Sequence, residues 1–317
     1  MAIPQPKGFW HSEILPGSNW RAVATSETTC FAIQADGSLW NISPNETNAS
    51  ARVTPKESRT GHDWKSISAG GEHFTGLKSD GTLWEWGKIS TSVGKSLGQK
   101  QLVMPTRVGI EADWVAVGDG ERTSVAVKTD GSIWRWGRVY LGNTNGPSKW
   151  KMVAQPERWL EGPPRQPVSI SLYGNAIGIV YEDGTLWGAF MRLLEKAELE
   201  KRQMVLWEED SNWKEVRIYG WDKAIGIKRD GSLWQWQSLS PPWQTSTWLL
   251  SRKQPSQYSD WLTVCPHQYA FLAFAGDGGL CVWGDPVYGC YEFNAPDPQR
   301  LLLPSRLKAR RIAMIAW

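Results

Sequence analysis

The sequence predicts an all-β protein, a β-propeller built from four-stranded blades. Three observations favour this fold. The dipeptide Asp-Gly recurs six times at intervals of 44 to 53 residues, which is the length of one propeller blade. Most copies lead into a short apolar strand that carries tryptophan, and another tryptophan lies 16 or 17 residues upstream of all but one copy. The chain is also rich in tryptophan, with 22 among 317 residues.

Composition narrows the class of protein. Lys+Arg 35 against Asp+Glu 32 leaves a net charge of +3, which is too balanced for a basic nucleic-acid binder. A hydrophobic fraction of 41% excludes wholesale disorder. No stretch approaches the ~20 apolar residues of a membrane span, and the first residues lack the apolar core of a secretory signal. Four cysteines do not make a disulfide scaffold in a chain of this length. We therefore expect a cytoplasmic protein without membrane contact.

The elements of one copy can be taken in chain order. The first strand corresponds to 64–70, and the second ends at Lys78. The Asp-Gly pair that follows is a strong signal for a two-residue hairpin turn of type I′. A Leu-Trp-x-Trp strand comes next, with both tryptophans on one face because side chains alternate along a strand. A loop then leads to a short fourth strand near 105–108. The six pairs begin at Asp36, Asp80, Asp130, Asp183, Asp230 and Asp277.

The recurrence of tryptophan at fixed repeat positions predicts that these rings pack between blades, where each buries a large apolar area. Four tryptophans fall outside the repeat register and are better candidates for contact with a partner: Trp150, Trp159, Trp243 and Trp248.

The segments 64–73, 80–87 and 105–108 together resemble the repeat of the regulator of chromosome condensation (RCC) family. The pattern Asp-Gly-x-Leu-Trp-x-Trp-Gly is similar to that of bacterial members. The resemblance covers nearly the whole chain and implies a β-propeller, with a structural hydrogen-bonding role for His73. Members of this family act variously in nucleotide exchange on a small GTPase, inhibition of a secreted hydrolase and ultraviolet sensing, so the resemblance alone chooses no activity.

Both ends of the chain bear on the blade count. The tail 309–317 resembles a seventh inner strand, and the head 2–10 aligns without a gap to 32–40. We therefore predict one domain over 1–317 with seven blades, in which 1–18 and 301–317 together form the seventh and close the ring. Six blades are the alternative.

The segment 191–204 is rich in helix formers and free of glycine and proline. It predicts a short helix or a long charged hairpin inserted in the fourth blade.

Residues with chemical potential are scattered along the sequence. The spacing of Cys265, His267, Cys281 and Cys290 matches no compact zinc motif. The four histidines form no evident set of nucleophile, base and carboxylate. No Gly-x-x-x-x-Gly-Lys-Ser/Thr phosphate loop occurs. We therefore predict no metal, no cofactor and no catalytic site.

The long, variable connections between third and fourth strands lie on one face of the predicted propeller, near 41–52, 88–103, 138–155, 188–206, 237–249 and 284–300. Connections between first and second strands share this face. They carry five acidic residues (Glu27, Glu72, Asp119, Glu121 and Asp222) against two basic ones (Arg122 and Lys223). This charge predicts a protein partner with a basic or polar surface and no nucleic-acid binding. The predicted contacts are Glu72, Asp119, Glu121, Arg122, Trp150, Trp221, Asp222, Trp243, Trp248, Tyr269 and Tyr291.

The function that the sequence favours is a non-catalytic protein-binding scaffold. Three alternatives stay open: guanine-nucleotide exchange on a small GTPase, a tryptophan-based ultraviolet photoreceptor, and a lectin.

Overall fold

A computed structural model describes residues 20–26, 29–41, 56–93, 96–142, 149–174, 176–190, 204–208, 210–220, 223–238, 250–253, 260–267, 270–276, 280–284 and 299–300. In this part of the chain the strands fall into six four-stranded sheets, here called blades 1 to 6 in chain order. No helix in these ranges is long and apolar enough to cross a membrane.

The first three blades contain strands β1 to β12. Blade 1 comprises β1 (Trp20–Thr25), β2 (Cys30–Gln34), β3 (Leu39–Asn41) and β4 (Lys56–Glu57). Blade 2 comprises β5 (Trp64–Ala69), β6 (His73–Lys78), β7 (Leu83–Val93) and β8 (Ser96–Arg107). Blade 3 comprises β9 (Trp114–Asp119), β10 (Thr123–Lys128), β11 (Ser132–Gly142) and β12 (Lys149–Glu161).

The other three blades contain strands β13 to β24. Blade 4 comprises β13 (Pro167–Tyr173), β14 (Ala176–Tyr181), β15 (Leu186–Phe190) and β16 (Val205–Glu208). Blade 5 comprises β17 (Trp213–Ile218), β18 (Lys223–Lys228), β19 (Leu233–Ser238) and β20 (Leu250–Lys253). Blade 6 comprises β21 (Trp261–His267), β22 (Ala270–Ala275), β23 (Leu280–Gly284) and β24 (Gln299–Arg300).

Within each blade the strands are antiparallel and pair in chain order. The first strand of a blade lies beside the first strand of the next, from β1 and β5 through to β17 and β21, so the first strands are innermost. The predicted all-β propeller with four-stranded blades is confirmed. The described residues hold six blades. The predicted seventh blade rests on 1–18 and 301–317, which lie outside them, so seven blades are not shown.

The core lies between neighbouring blades, because the second strands of blades 1 to 5 are buried on both faces; β14 is buried along its whole length. Val125 and Ile133 of blade 3 pack in one cluster with Leu172 and Ile177 of blade 4. The prediction that repeat tryptophans pack between blades is confirmed. Side chains at most 2% exposed include Trp64, Trp86, Trp114, Trp136, Trp213, Trp236 and Trp261.

The Asp-Gly turns differ from the predicted type I′ geometry. A type I′ turn needs positive φ at both central residues, whereas in the first copy only Gly37 has it, with φ 82°. The amide of Gly37 donates to Gln34 O and the amide of Gln34 donates to Ser38 O, each at 3.0 Å. This is a type I turn closed by a glycine bulge. Asp36 is not among the residues with positive φ, a conformation that its Cβ disfavours.

A chain of side-chain hydrogen bonds follows each of five Asp-Gly turns. In the third copy, Ser132 donates to Asp130 Oδ1 from its amide at 2.8 Å and from its hydroxyl at 2.5 Å. The indole Nε1 of Trp134 then donates to Ser132 Oγ at 2.9 Å. The equivalent sets are Asp36/Ser38/Trp40, Asp80/Thr82/Trp84, Asp183/Thr185/Trp187 and Asp230/Ser232/Trp234.

Four of these turns also bond to the first strand of the next blade. The carbonyl oxygen of Gly81 accepts a hydrogen bond from the amide of Trp114, the first residue of β9, at 3.3 Å. A Cβ at Gly81 would lie only 2.2 Å from Ala112 O, so this position needs glycine for space as well as for its φ of 79°. Equivalent bonds reach Trp64, Trp213 and Trp261 from the glycines at 37, 184 and 231.

Candidate functional site

A partly open cavity of about 140 Å³ lies between blades 2 and 3, on the face formed by the first-to-second strand loops. Blade 2 contributes residues of β6 and β7, and blade 3 contributes residues of β10 to β12 and the loop before β10. The residues that line the cavity include His73, Glu85, Arg122, Ser124, Trp136 and Val153.

The repeat pattern explains why a carboxylate enters this cavity. Glu85 occupies the variable position between Trp84 and Trp86 on β7, and alternation turns it away from both tryptophans. Trp86 packs on Phe31 of blade 1, so Glu85 points in the other direction, towards blade 3. There the indole Nε1 of Trp136 donates to Glu85 Oε1 at 3.0 Å. Burial raises the pKa of Glu85, although this bond and the charge of His73 oppose the rise.

A second buried polar group lies beside it. His73 Nε2 is 3.0 Å from Ser124 Oγ and 3.3 Å from Asp119 Oδ1. Asp119 Oδ2 also accepts hydrogen bonds from the hydroxyl and the amide of Thr75, at 2.7 and 3.2 Å. Burial disfavours a charge on His73, but the charge and hydrogen bond of Asp119, with the charge of Glu85, outweigh it and raise the pKa of His73.

The structure thus brings together a serine, a histidine and an aspartate that sequence reasoning left apart. In a Ser-His-Asp triad, one ring nitrogen contacts the hydroxyl and the other contacts the carboxylate. Here Ser124 and Asp119 both contact the same ring nitrogen, Nε2 of His73. The ring therefore links β6 to β9 and β10 across the blade interface, and its geometry is that of a structural bridge.

Two of the predicted acidic contacts are at the surface but already have basic neighbours. Glu72 pairs with Lys88 and accepts a hydrogen bond from Gln99 at 3.4 Å. Glu121 is 78% exposed, and its carboxylate lies 3.4 Å from Nε of Arg122, which is 45% exposed. The predicted acidic excess is therefore largely offset among the described residues of blades 2 and 3, because Lys88 was not counted with this face.

Asp119 and Trp159 are buried, whereas Trp150 is partly exposed. The side chain of Asp119 is fully buried, so it cannot touch a partner, contrary to its prediction as a contact. Trp150 is 40% exposed and lies against Tyr140 and under the guanidinium of Arg138. Trp159 is only 2% exposed, because it packs in the core below Arg135, so its selection as a surface residue was wrong.

Several predictions fall on residues outside the described part of the chain. They are the contacts Trp221, Asp222, Trp243, Trp248, Tyr269 and Tyr291, the loop acid Glu27, and nearly all of the charged insertion at 191–204. Within the described ranges, no group of three His, Cys, Asp or Glu side chains is placed to hold a metal ion.

Two of the predicted long loops are instead long hairpins. Strand β7 continues to Val93 and pairs with β8 from Ser96, and β11 continues to Gly142 and pairs with β12 from Lys149. The alternating, β-branched stretch 88–93 carried this signal. The two hairpins extend blades 2 and 3 beside the cavity, because Ile89, Ser90 and Val153 line it.

Comparison with solved structures identifies the fold. Human WBSCR16 superposes with a TM-score of 0.61 at 15% identity, covering 92% of this chain and 83% of that one. Yeast RCC1 (Prp20) bound to Kap60 gives 0.59 at 14% identity, covering 89% and 74%. Prp20p from Saccharomyces cerevisiae, in a study of its binding to Gsp1p and histones, gives 0.55 at 13%, covering 89% and 76%. No protein-family profile and no curated protein sequence matches the chain. The chain therefore has the fold of RCC-type propellers.

Proposed function

We propose that this protein is a non-catalytic binding scaffold, whose partner is a protein that docks across blades 2 and 3 on the first-to-second loop face. The observation that carries the proposal is the partly open cavity at this face, with a buried carboxylate inside it and two long hairpins beside it. A concave, partly apolar site with few polar groups is the usual form of a recognition site on a rigid scaffold.

The contacts that remain in this proposal are Glu72, Glu121, Arg122 and Trp150, together with Asp222 and the predicted aromatic contacts of the other loops. Exposed ion pairs at the rim, such as Glu121 with Arg122, favour a polar partner surface. The fold neighbour Prp20 is bound to the protein Kap60 and is described by its binding to Gsp1p and histones, which supports a protein partner here. We propose a cytoplasmic location, no nucleic-acid binding and a bacterial-type repeat.

The proposal is tested by affinity capture from the source cell, followed by charge reversal. The double variant Glu72→Lys/Glu121→Lys should weaken binding of the captured partner, and more at low than at high salt because exposed charges are screened. The matched control is Glu111→Lys/Glu182→Lys, which changes two exposed acids on the Asp-Gly face. Weaker binding in the control variant alone would show that the partner uses the opposite face.

Nucleotide exchange is the second candidate function, and the resemblance of the repeats to the RCC family favours it. Release of a labelled guanine nucleotide from small GTPases of the same cell, measured with and without the protein, decides between the two. A faster release would replace the scaffold proposal.

A further inference from the structure

We infer that the cavity between blades 2 and 3 binds the ammonium group of a lysine side chain that the docked partner presents. This inference rests on the proposed function, since it names the group by which the partner is anchored. It is argued from the charge of the cavity, from a pattern that the chain uses elsewhere, and from size.

The cavity holds a carboxylate that lacks a full counter-charge. Glu85 Oε1 accepts the hydrogen bond of Trp136, and this is the one hydrogen bond that the described residues give to the carboxylate. The charged groups that act on it are His73 and Asp119, and these two are already paired with each other. A desolvated carboxylate in this situation favours a cation beside it.

The chain itself shows which cation suits such a place. Lys78 Nζ lies 4.7 Å from the ring centre of Trp84 and 5.1 Å from that of Trp64, and 3.0 Å from Asp63 Oδ1. The side chain of this lysine is only 12% exposed. The same arrangement recurs for Lys128 with Trp114, Trp134 and Asp113, and for Lys228 with Trp213, Trp234 and Asp210.

Around Lys78 the chain places aromatic rings and a carboxylate. The cavity likewise has a tryptophan, Trp136, and a carboxylate, Glu85, beside an open volume. An ammonium ion there would gain a charged hydrogen bond to the carboxylate of Glu85. Ser90 lines the same space.

Size admits the end of a lysine side chain, and the number of hydrogen-bond donors favours lysine over arginine. A cavity of about 150 Å³ holds a molecule as small as benzene, and this one measures about 140 Å³. The end of a lysine stem fits this volume, with its methylenes against Ile89 and Val153. A guanidinium would bring five donors in a fixed plane, more than the acceptors of the cavity can satisfy.

Besides His73, which is paired with Asp119, the basic residue of the described lining is Arg122, at the rim. Its Nε is 3.4 Å from the carboxylate of Glu121, so the two charges largely offset each other. An incoming lysine therefore meets a rim without strong repulsion and an interior that carries the unmatched carboxylate.

The cavity is tested first without any partner. The full chain, labelled with ¹⁵N, is titrated with n-butylammonium chloride while the indole Nε1–H resonance of Trp136 is followed. Its assignment comes from the signal that disappears in Trp136→Phe. We expect a saturable shift of this resonance, at least tenfold weaker binding in Glu85→Gln, and no saturable shift with n-butanol. Equal binding by Glu85→Gln or equal response to n-butanol would overturn the inference.

The second arm uses the captured partner. Glu85→Gln should lower the affinity for the captured partner about tenfold or more. The control Glu157→Gln should leave this affinity unchanged, because it changes a carboxylate that is paired with Arg135 and Lys151. Melting curves of both variants serve to check that they fold. Unchanged affinity in folded Glu85→Gln refutes the lysine anchor and leaves the scaffold proposal standing. Failure of the parent chain to capture any protein refutes both.

Discussion

Ser132 links an Asp-Gly turn to the tryptophan that follows it, through its contacts with Asp130 and Trp134. Ser132→Ala removes both hydroxyl bonds and should lower the free energy of unfolding by about 1 kcal/mol. Ser132→Thr is the control and should stay within about 0.5 kcal/mol of the parent, because Thr82 and Thr185 make the same contacts in their own turns. Urea unfolding measures both. An alanine variant as stable as the parent would show that the hydroxyl contacts contribute nothing.

His73 should make stability depend on pH. Its pKa in the folded chain is raised above the ordinary 6.5 by Asp119 and Glu85, against the effect of burial. A raised pKa means that the stabilisation is complete below about pH 6.5 and is lost as pH rises through the folded-state pKa. His73→Gln, which cannot titrate, should therefore be less stable than the parent at pH 6, and the difference should narrow towards pH 9. Thermal melts of both proteins across this range measure it. A constant difference would exclude proton linkage at His73.

At the scale of the element, the Asp-Gly turn at 80–81 both closes a hairpin and bonds to the next blade. Gly81→Ala should therefore destabilise the chain by about 2 kcal/mol or more, because alanine disfavours a φ of 79° and its Cβ would meet Ala112 O at 2.2 Å. Gly220→Ala is the matched control. A Cβ there would meet only the side chain of Lys223, at 3.4 Å or beyond. This substitution should therefore change the free energy of unfolding little. Similar unfolding midpoints for the two variants would contradict this account of the turn.

The strands themselves were predictable because alternation and tryptophan spacing are local properties of the sequence. The turn type was not, because Asp-Gly satisfies both a two-residue turn and a three-residue turn with a glycine bulge. The choice was decided by Ser38 and its equivalents, whose hydroxyls bind the preceding aspartate, and by contact with the next blade. The sequence predicts loops where blades 2 and 3 have long hairpins, since 88–103 and 138–155 lack the repeat motif that marks the other strands.

The candidate site could be predicted only in part, because it depends on which blades are neighbours. Glu72, Glu121 and Arg122 were found from their loops, and all three are near the surface. Glu85 and Trp136 come from different repeats, and only the packing of blade 2 on blade 3 brings them together. The single signal in the sequence was an acidic residue between two tryptophans, where the third copy has Arg135 and the fifth has Gln235.

At the scale of the whole molecule, the prediction of ring closure by the two termini remains. Deleting residues 309–317 should expose the edge that they are predicted to cover and lower stability by several kcal/mol, a large fraction of that of a typical domain. Denaturant unfolding of the parent and the truncated chain measures the difference. A truncated chain with the midpoint of the parent would favour the six-blade alternative.

The hydrogen bonds by which four of the Asp-Gly turns reach the next blade share one direction. The glycine carbonyl belongs to the earlier blade, and the donor is the first residue of the later one, as in Gly37 with Trp64 and Gly81 with Trp114. Chains are synthesised from the amino terminus at about 5–20 residues per second. Such a blade therefore leaves the ribosome before its turn carbonyl has a hydrogen-bond donor from the next blade. Roughly 27 to 33 further residues must emerge before the tryptophan whose amide donates to that carbonyl. We therefore expect each of these blades to become resistant to protease only after the first strand of the following blade has been synthesised.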